Sequence, residues 1–223
     1  MKRFITLILI LSLVISLSTC LTSCDRDYDG EEVRIAAIEL IEKSLFLNEI
    51  YWGEGIPYTN PGSSSLYGEA DAFALTQMGF STVEELKAKT REVFTEKYCE
   101  DIFSTSFSSA KDGEEIEFYS RYYQKYEDAE QTIPVCIMVY SRYERLLHDD
   151  VEYLYDTLVA THSKKDTVYV KVKVRVIRDE EHVQEREKVL ALVEEKNGWR
   201  LDSASYLNYN DRQDEYQDLT EKK

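Results

Sequence analysis

The chain reads as an α+β domain in which N-terminal helices pack on one face of a curved antiparallel sheet, and three observations carry that reading. Apolar residues recur at three- and four-residue spacing through Val33, Ala37, Leu40, Ile41, Ser44, Leu47 and Tyr51, the signature of one helix face. After about residue 103 the period changes to two: Val168, Val170, Val172, Val174 and Val176 alternate without a break against Tyr169, Lys171, Lys173 and Arg175, as in a strand with one dry face and one wet one. Asn197-Gly198 then separates the strand candidates 190–193 and 199–202, and such a pair suits the positive φ angles of a tight hairpin turn. Helical segments grouped before strand segments are the pattern of α+β architecture.

The N-terminus precedes that domain and differs from it. Lys2 and Arg3 stand ahead of an apolar run over residues 4–17, which gives way to small polar residues. This is the layout of a secretory signal peptide, and the run is short for a permanent membrane span. Leu21-Thr22-Ser23-Cys24 resembles the lipobox of bacterial lipoproteins, and Thr19 makes Cys20 the poorer candidate. The resemblance implies that a diacylglyceryl group is attached to the Cys24 thiol and that the chain is cut before it. The alternative is a plain secreted protein whose Cys24 falls there by accident. Two acyl chains hold a protein firmly, each buried methylene contributing about 0.8 kcal/mol. Cleavage removes two cations and no acid, taking the net charge from −16 to −18.

Along the rest of the chain each segment has its own signal. Residues 24–32 are polar and acidic and read as a tether. The helix over residues 33–51 follows, ended by Gly53, Gly55 and Pro57. Residues 53–70, rich in Gly, Ser, Pro and Asn, read as an irregular segment long enough to pack over something. Ser81 and Glu84 stand at capping-box spacing before a helix that turns Val83, Leu86, Thr90, Val93 and Phe94 inward. Thr95 is placed to cap another helix through Tyr98, Ile102 and Phe103. Strands are predicted at residues 116–123, 135–140, 153–160, 168–176, 190–193 and 199–202. Trp199 is expected as a core anchor, and Lys171, Lys173 and Arg175 are expected to face water beside glutamates of a neighbouring strand. The domain therefore covers residues 33–210, with leader 1–23, tether 24–32 and a polar tail 211–223.

Composition narrows the function. Acidic residues number 43 against 27 basic ones, a balance opposed to sequence-independent nucleic-acid binding. The three histidines, His148, His162 and His182, have no helical zinc spacing and stand beside no cysteine. No Gly-x-Ser-x-Gly elbow and no phosphate-binding glycine loop is present. Ser108-Ser109-Ala110-Lys111 matches a Ser-x-x-Lys pattern, but its partner elements are missing. The expectation is therefore of no catalytic residue, no metal site and no cofactor site, while 43 acids leave carboxylate pairs for glycosidase chemistry open. Cys99 and Cys136 remain after processing, either as a disulfide or as two buried thiols. Seventeen tyrosines, among them Tyr119, Tyr122, Tyr123, Tyr126, Tyr140, Tyr143, Tyr153 and Tyr155, offer rings with polar tips that suit a binding surface, and also suit half-buried strands. Trp52, beside glycines and a long loop, is a candidate pocket wall.

Two wider resemblances follow from these segments. The leading helices, the capped segment from Phe80, and the closing Asn197-Gly198-Trp199-Arg200-Leu201-Asp202 resemble the NTF2-like, cystatin-related cone fold over about residues 31–208. Tyr51-Trp52, residues 80–103 and residues 198–202 are similar to the IseA family of extracytoplasmic inhibitors of cell-wall DL-endopeptidases, from which the stretch around residues 108–134 departs. These resemblances imply a lipid-anchored, non-enzymatic binding module at the extracytoplasmic face of the cell membrane, whose partner would be a cell-wall endopeptidase or another envelope protein. The candidate binding residues are Tyr51, Trp52, Tyr58, Tyr122, Tyr153 and Tyr155. The alternative is a small-ligand carrier or sensor that uses a pocket between helices and sheet near Tyr51, Trp52 and Tyr58.

Overall fold

The computed structural model describes residues 28, 30–63, 65–107, 111–112, 115–116, 119–147, 150–177 and 183–207. The leader, Cys24, most of the tether, His148, His182 and the tail at 211–223 lie outside the described residues. Helices α1 (Gly30–Trp52), α2 (Ala72–Met78), α3 (Val83–Arg91) and α4 (Glu96–Phe107) alternate with or precede strands β1 (Tyr67–Glu69), β2 (Lys111–Asp112), β3 (Glu115–Ile116), β4 (Tyr122–Tyr126), β5 (Pro134–Tyr140), β6 (Asp150–Lys164), β7 (Thr167–Ile177), β8 (Val183–Glu195) and β9 (Gly198–Leu201). The architecture is α+β. Among the described residues no helix is long and apolar enough to cross a membrane.

α1 buries the predicted stripe, with Val33, Ala37, Leu40, Ile41, Ser44, Leu47, Asn48 and Tyr51 all inside. It begins at Gly30, inside the segment expected to be tether, so Glu31 and Glu32 occupy its first turn, where the helix dipole favours negative charge. α3 carries a capping box one residue later than the spacing predicted. The Glu85 carboxylate accepts from the amides of Ser81 at 2.6 Å and Thr82 at 3.2 Å, while Thr82 Oγ1 accepts from the Glu85 amide. Thr95 caps α4 as expected, accepting from the Tyr98 amide at 3.3 Å, and its hydroxyl also donates to Asp202 at 2.5 Å.

Two elements inside the segment expected to be irregular or unassigned are regular. β1 pairs with β5, and α2 starts at an Asp71 cap that accepts from the Ala74 amide at 2.7 Å and ends at Gly79 with φ +74°.

The described strands form two larger sheets and a small pair rather than one curved sheet: a three-stranded sheet in the order β1-β5-β4, a four-stranded sheet in the order β6-β7-β8-β9, and a two-stranded sheet of β2 and β3. The break between the two larger sheets falls in residues 141–147, where the Leu146 and Leu147 amides leave strand pairing and donate to the Trp52 carbonyl at 2.8 and 3.1 Å. The strand predicted at 116–123 falls partly in β3, at Ile116, and partly in β4, which begins at Tyr122 after Arg121 turns inward beneath the end of α1.

β7 lays Val168, Val170, Val172, Val174 and Val176 into the core opposite Leu190 and Leu192 of β8. Phe94 bridges to Leu201, joining the helical layer to β9. The β8–β9 turn comes one residue earlier than predicted: Glu195 pairs with Gly198, and of Asn197 and Gly198 only the glycine has positive φ, +103°. Trp199 is half-buried at the edge of the core, packed edge-on against Tyr28 at 5.2 Å. Cys99 and Cys136 are free thiols.

Candidate functional site

Register in the three-stranded sheet sorts its residues onto two faces. Gly68, Val139 and Tyr122 lie across from one another, and Ile137 lies across from Gln124. Val139, Ile137 and Tyr122 are buried toward the helices. The opposite face carries Tyr67 across from Tyr140, then Glu69, Met138 and Tyr123 in one row, and Cys136 across from Lys125.

Four rings gather on that outer face. Tyr119 arrives from the segment before β4 and stacks on Tyr140, with centroids 5.1 Å apart and planes within 16°. Tyr67 meets Tyr123 edge-on at 4.9 Å, Tyr140 at 5.4 Å and Tyr119 at 6.3 Å. Tyr119 and Tyr123 remain more than a third exposed, while Met138 beneath them is only 8% exposed. Glu69 and Lys125 close one side of the plate with an ion pair at 3.1 Å, which holds the lysine pKa above its ordinary value. Tyr67 thus contacts the other three rings, and the four together form an aromatic plate.

The plate is rooted in a buried polar node at the C-terminus of α1. Arg121 is 3% exposed and donates to the Tyr51 carbonyl at 2.5 Å and the Gly53 carbonyl at 2.7 Å. Its guanidinium lies 3.8 Å from the Tyr143 ring centroid. Among the described residues no carboxylate forms an ion pair with it. The compensating negative ends are helix carbonyls and an aromatic face.

Tyr122 donates to the Ile50 carbonyl at 2.6 Å and accepts from the Ile56 amide at 3.2 Å, and Tyr143 donates to the Tyr51 carbonyl at 3.2 Å. Together these groups satisfy the carbonyls that a helix end leaves open. Gly55 is required here: its φ is +84°, and a Cβ would lie 2.3 Å from Arg121 and 2.7 Å from the Tyr122 hydroxyl. Burial pushes the Tyr122 phenol up to about 12, against the opposing pull of Arg121, and raises Tyr51 and Tyr143 as well. All three phenols therefore stay neutral and act as hydrogen-bonding groups.

The six residues expected to bind a ligand or partner do not converge. Tyr51, Trp52, Tyr122 and Tyr153 are core residues. The Tyr51 hydroxyl is 2.7 Å from Thr90 Oγ1, and that of Tyr153 donates to the Ser205 carbonyl. Buried rings of this kind offer no outer face to a partner, which differs from the binding surface expected of Tyr122 and Tyr153; Tyr51 and Trp52, expected beside a pocket, are buried as well.

Tyr58 is half-buried and donates to the Ser141 carbonyl at 3.3 Å. Tyr155 is half-buried on the other sheet, beside Tyr153 at 6.2 Å. The Trp52 and Tyr51 rings are packed against aromatic neighbours, Tyr206 at 5.8 Å from Trp52 and Phe107 at 6.0 Å from Tyr51. Trp52 is thus packing, not a pocket wall.

A cleft of about 440 Å³ does open beside the end of α1 and the start of β6, lined by residues that include Asn48, Glu54, Arg145, Leu147 and Tyr206, though not by Tyr51, Trp52 or Tyr58, and another of about 470 Å³ lies between α3 and the β4–β5 pair. Among the described residues no three His, Cys, Asp or Glu side chains converge as metal ligands would. His162 stacks on Tyr169 at 4.5 Å. The Cys99 thiol is pushed up to about 12, chiefly by burial, which leaves it a poor nucleophile.

Sequence reasoning noted Tyr119, Tyr123 and Tyr140 among strand tyrosines but had no signal for Tyr67, which pairs with Tyr140 across 73 positions. No family model matches the chain, and neither does any curated protein or solved structure.

Proposed function

We propose that this protein is a non-catalytic binding module, held at the extracytoplasmic face of the cell membrane by lipid on Cys24, and that the tyrosine plate of the β1-β5-β4 sheet is its docking surface. The observation that supports this reading is the concentration of Tyr67, Tyr119, Tyr123 and Tyr140 on one outer face. Tyrosine is enriched where protein interfaces hold most of their affinity, because it offers large apolar area, a polar tip and few rotatable bonds.

The occupant is an envelope protein with a basic rim. A chain with 43 acids against 27 bases steers such a partner toward itself, and exposed Glu127 and Glu130 follow Tyr126 at the end of β4. The resemblance to the IseA family gives this reading its most specific form, inhibition of a cell-wall DL-endopeptidase. Such an inhibitor needs no nucleophile, only a preorganised surface that fills the enzyme's groove. The carrier alternative draws less support, because the cleft of about 440 Å³ beside the end of α1 is not lined by Tyr51, Trp52 or Tyr58.

The test compares the mature protein with a Tyr119→Ser/Tyr123→Ser variant, in pull-downs from solubilised envelope and in assays of DL-endopeptidase activity. One hydrolase recovered in stoichiometric amount and inhibited, with both effects lost in the variant, supports the reading. Equal recovery by both proteins overturns it.

A further inference from the structure

The described chain begins at one pole of the fold. The Tyr28 ring packs on Trp199 at 5.2 Å, and its hydroxyl donates to the Lys165 carbonyl at 3.4 Å. Trp199 Nε1 in turn donates to Glu32 at 3.5 Å. The first turn of α1 therefore lies beside the β6–β7 turn, at residues 165–166, and the β8–β9 turn, at residues 196–197. From there α1 runs 23 residues, about 33 Å at 1.5 Å per residue.

At its far end the last carbonyls of α1 are held by Arg121, Tyr122 and Tyr143. The plate begins directly beside that node: Tyr140 donates its amide to the Arg121 carbonyl at 2.9 Å, and the Tyr67 hydroxyl donates to the Ser120 carbonyl at 2.8 Å. β6 spans the same axis in the opposite direction, from Asp150 to Lys164. Chain entry and tyrosine plate thus sit at opposite poles.

Three residues lie between Cys24 and Tyr28, so the four steps of chain span at most about 14 Å. The anchored end is therefore tied close to the bilayer by a link much shorter than α1. A body of net charge −18 after processing is repelled by anionic headgroups, and that repulsion favours contact through the small entry pole over lying flat.

We infer that the tyrosine plate is presented at the membrane-distal pole, about 33 Å beyond the anchored end, where it meets a partner in the aqueous or wall space and not one embedded in the same bilayer. The inference rests on the anchor reading made for Cys24, and its test separates the two.

The full-length lipidated protein is reconstituted in phosphatidylethanolamine–phosphatidylglycerol vesicles carrying a headgroup energy acceptor. A donor dye is placed at Asn197→Cys in the entry-pole turn, or at Glu144→Cys, two residues before the Leu146 amide that donates to the Trp52 carbonyl, in both cases with Cys136→Ser. Transfer from residue 197 is expected to exceed transfer from residue 144 by about fivefold or more, given the separation of the poles. Equal transfer from a protein that still floats with the vesicles overturns the inference and leaves the anchor standing. A protein that does not float with the vesicles overturns both.

Discussion

The two larger sheets of this protein turn opposite kinds of surface to solvent. On the outer face of the four-stranded sheet, Lys171 pairs with Glu187 at 2.8 Å, and Arg175 pairs with Glu152 at 2.6 Å and Glu185 at 3.7 Å. On the outer face of the three-stranded sheet four tyrosine rings lie against one another over Met138.

Their inner faces differ as well. The larger sheet buries the valines of β7 against Leu190 and Leu192, with Lys188 buried across from Val172 and donating to the Tyr206 carbonyl at 2.9 Å, whereas the smaller one is rooted by a buried arginine and two phenols at a helix end. An exposed ion-pair ladder adds little stability and keeps an open sheet face wet and unattractive to other chains. A tyrosine plate leaves aromatic area available for association. The difference separates a face built to stay unbound from one suited to being covered.

Four experiments would sharpen or break that contrast. The largest effect is expected at the root of the small sheet. Arg121→Met should cost about 2 kcal/mol, since it strands the Gly53 carbonyl away from water and leaves the Tyr51 carbonyl only the Tyr143 hydroxyl, read as a lower denaturant midpoint. An unchanged midpoint would show that the node is not what fixes the sheet to α1.

The plate comes next. Tyr119→Ser combined with Tyr123→Ser should weaken partner binding by about thirtyfold or more while changing the unfolding free energy by less than about 1 kcal/mol. A large loss of stability with unchanged binding would make the plate a structural element like the valine layer.

The third is a pH titration. Tyr122 and Cys99 both titrate near 12 in the folded protein, above the ordinary values of 10 and 9. The unfolded chain therefore loses these protons first. The stability held by keeping them neutral is complete below pH 9 and is lost as pH rises from 9 through 12. Denaturation midpoints should accordingly be flat with respect to these groups up to pH 9 and then fall. A midpoint that rises across that alkaline window would contradict the burial of both groups.

The smallest effect is expected on the ladder. Lys171→Gln together with Arg175→Gln should cost less than about 1 kcal/mol, because all the partners are more than a third exposed. Partner binding should not change. Any loss of binding there would move the docking surface to the other sheet.

Legibility in the sequence followed the range of the interactions involved. The α1 stripe and the β7 valine alternation were readable because their periods lie within a single segment, and so was the outward pairing of Lys171 and Arg175 with glutamates. The Thr82–Glu85 cap and the turn before Gly198 were each displaced by one residue, since neighbouring Ser81, Glu84 and Asn197 offer nearly equivalent chemistry and only backbone geometry chooses among them.

The site was hardly readable at all. Tyr67 stands alone in a Ser- and Gly-rich stretch and becomes part of a plate only through pairing with Tyr140. Arg121 looks like a strand residue until the end of α1 arrives above it. Trp52, expected as a pocket wall, is covered by Tyr206 from the far end of the chain.

By itself the sequence determined the α+β class, the dry face of β7, the wet charged face opposite it, and the expectation of a lipid anchor at Cys24. Hydrophobic period and short motifs specify these locally. Only the tertiary structure decided that the strands part into separate sheets, that Tyr51, Trp52, Tyr122 and Tyr153 lie inside, and that four other tyrosines share one outer face. Those outcomes depend on which carbonyls at the end of α1 find donors, and the donors come from positions about 70 to 95 residues further along the chain. A buried polar group must be satisfied wherever its partner lies in the sequence, and no local pattern records where that partner is.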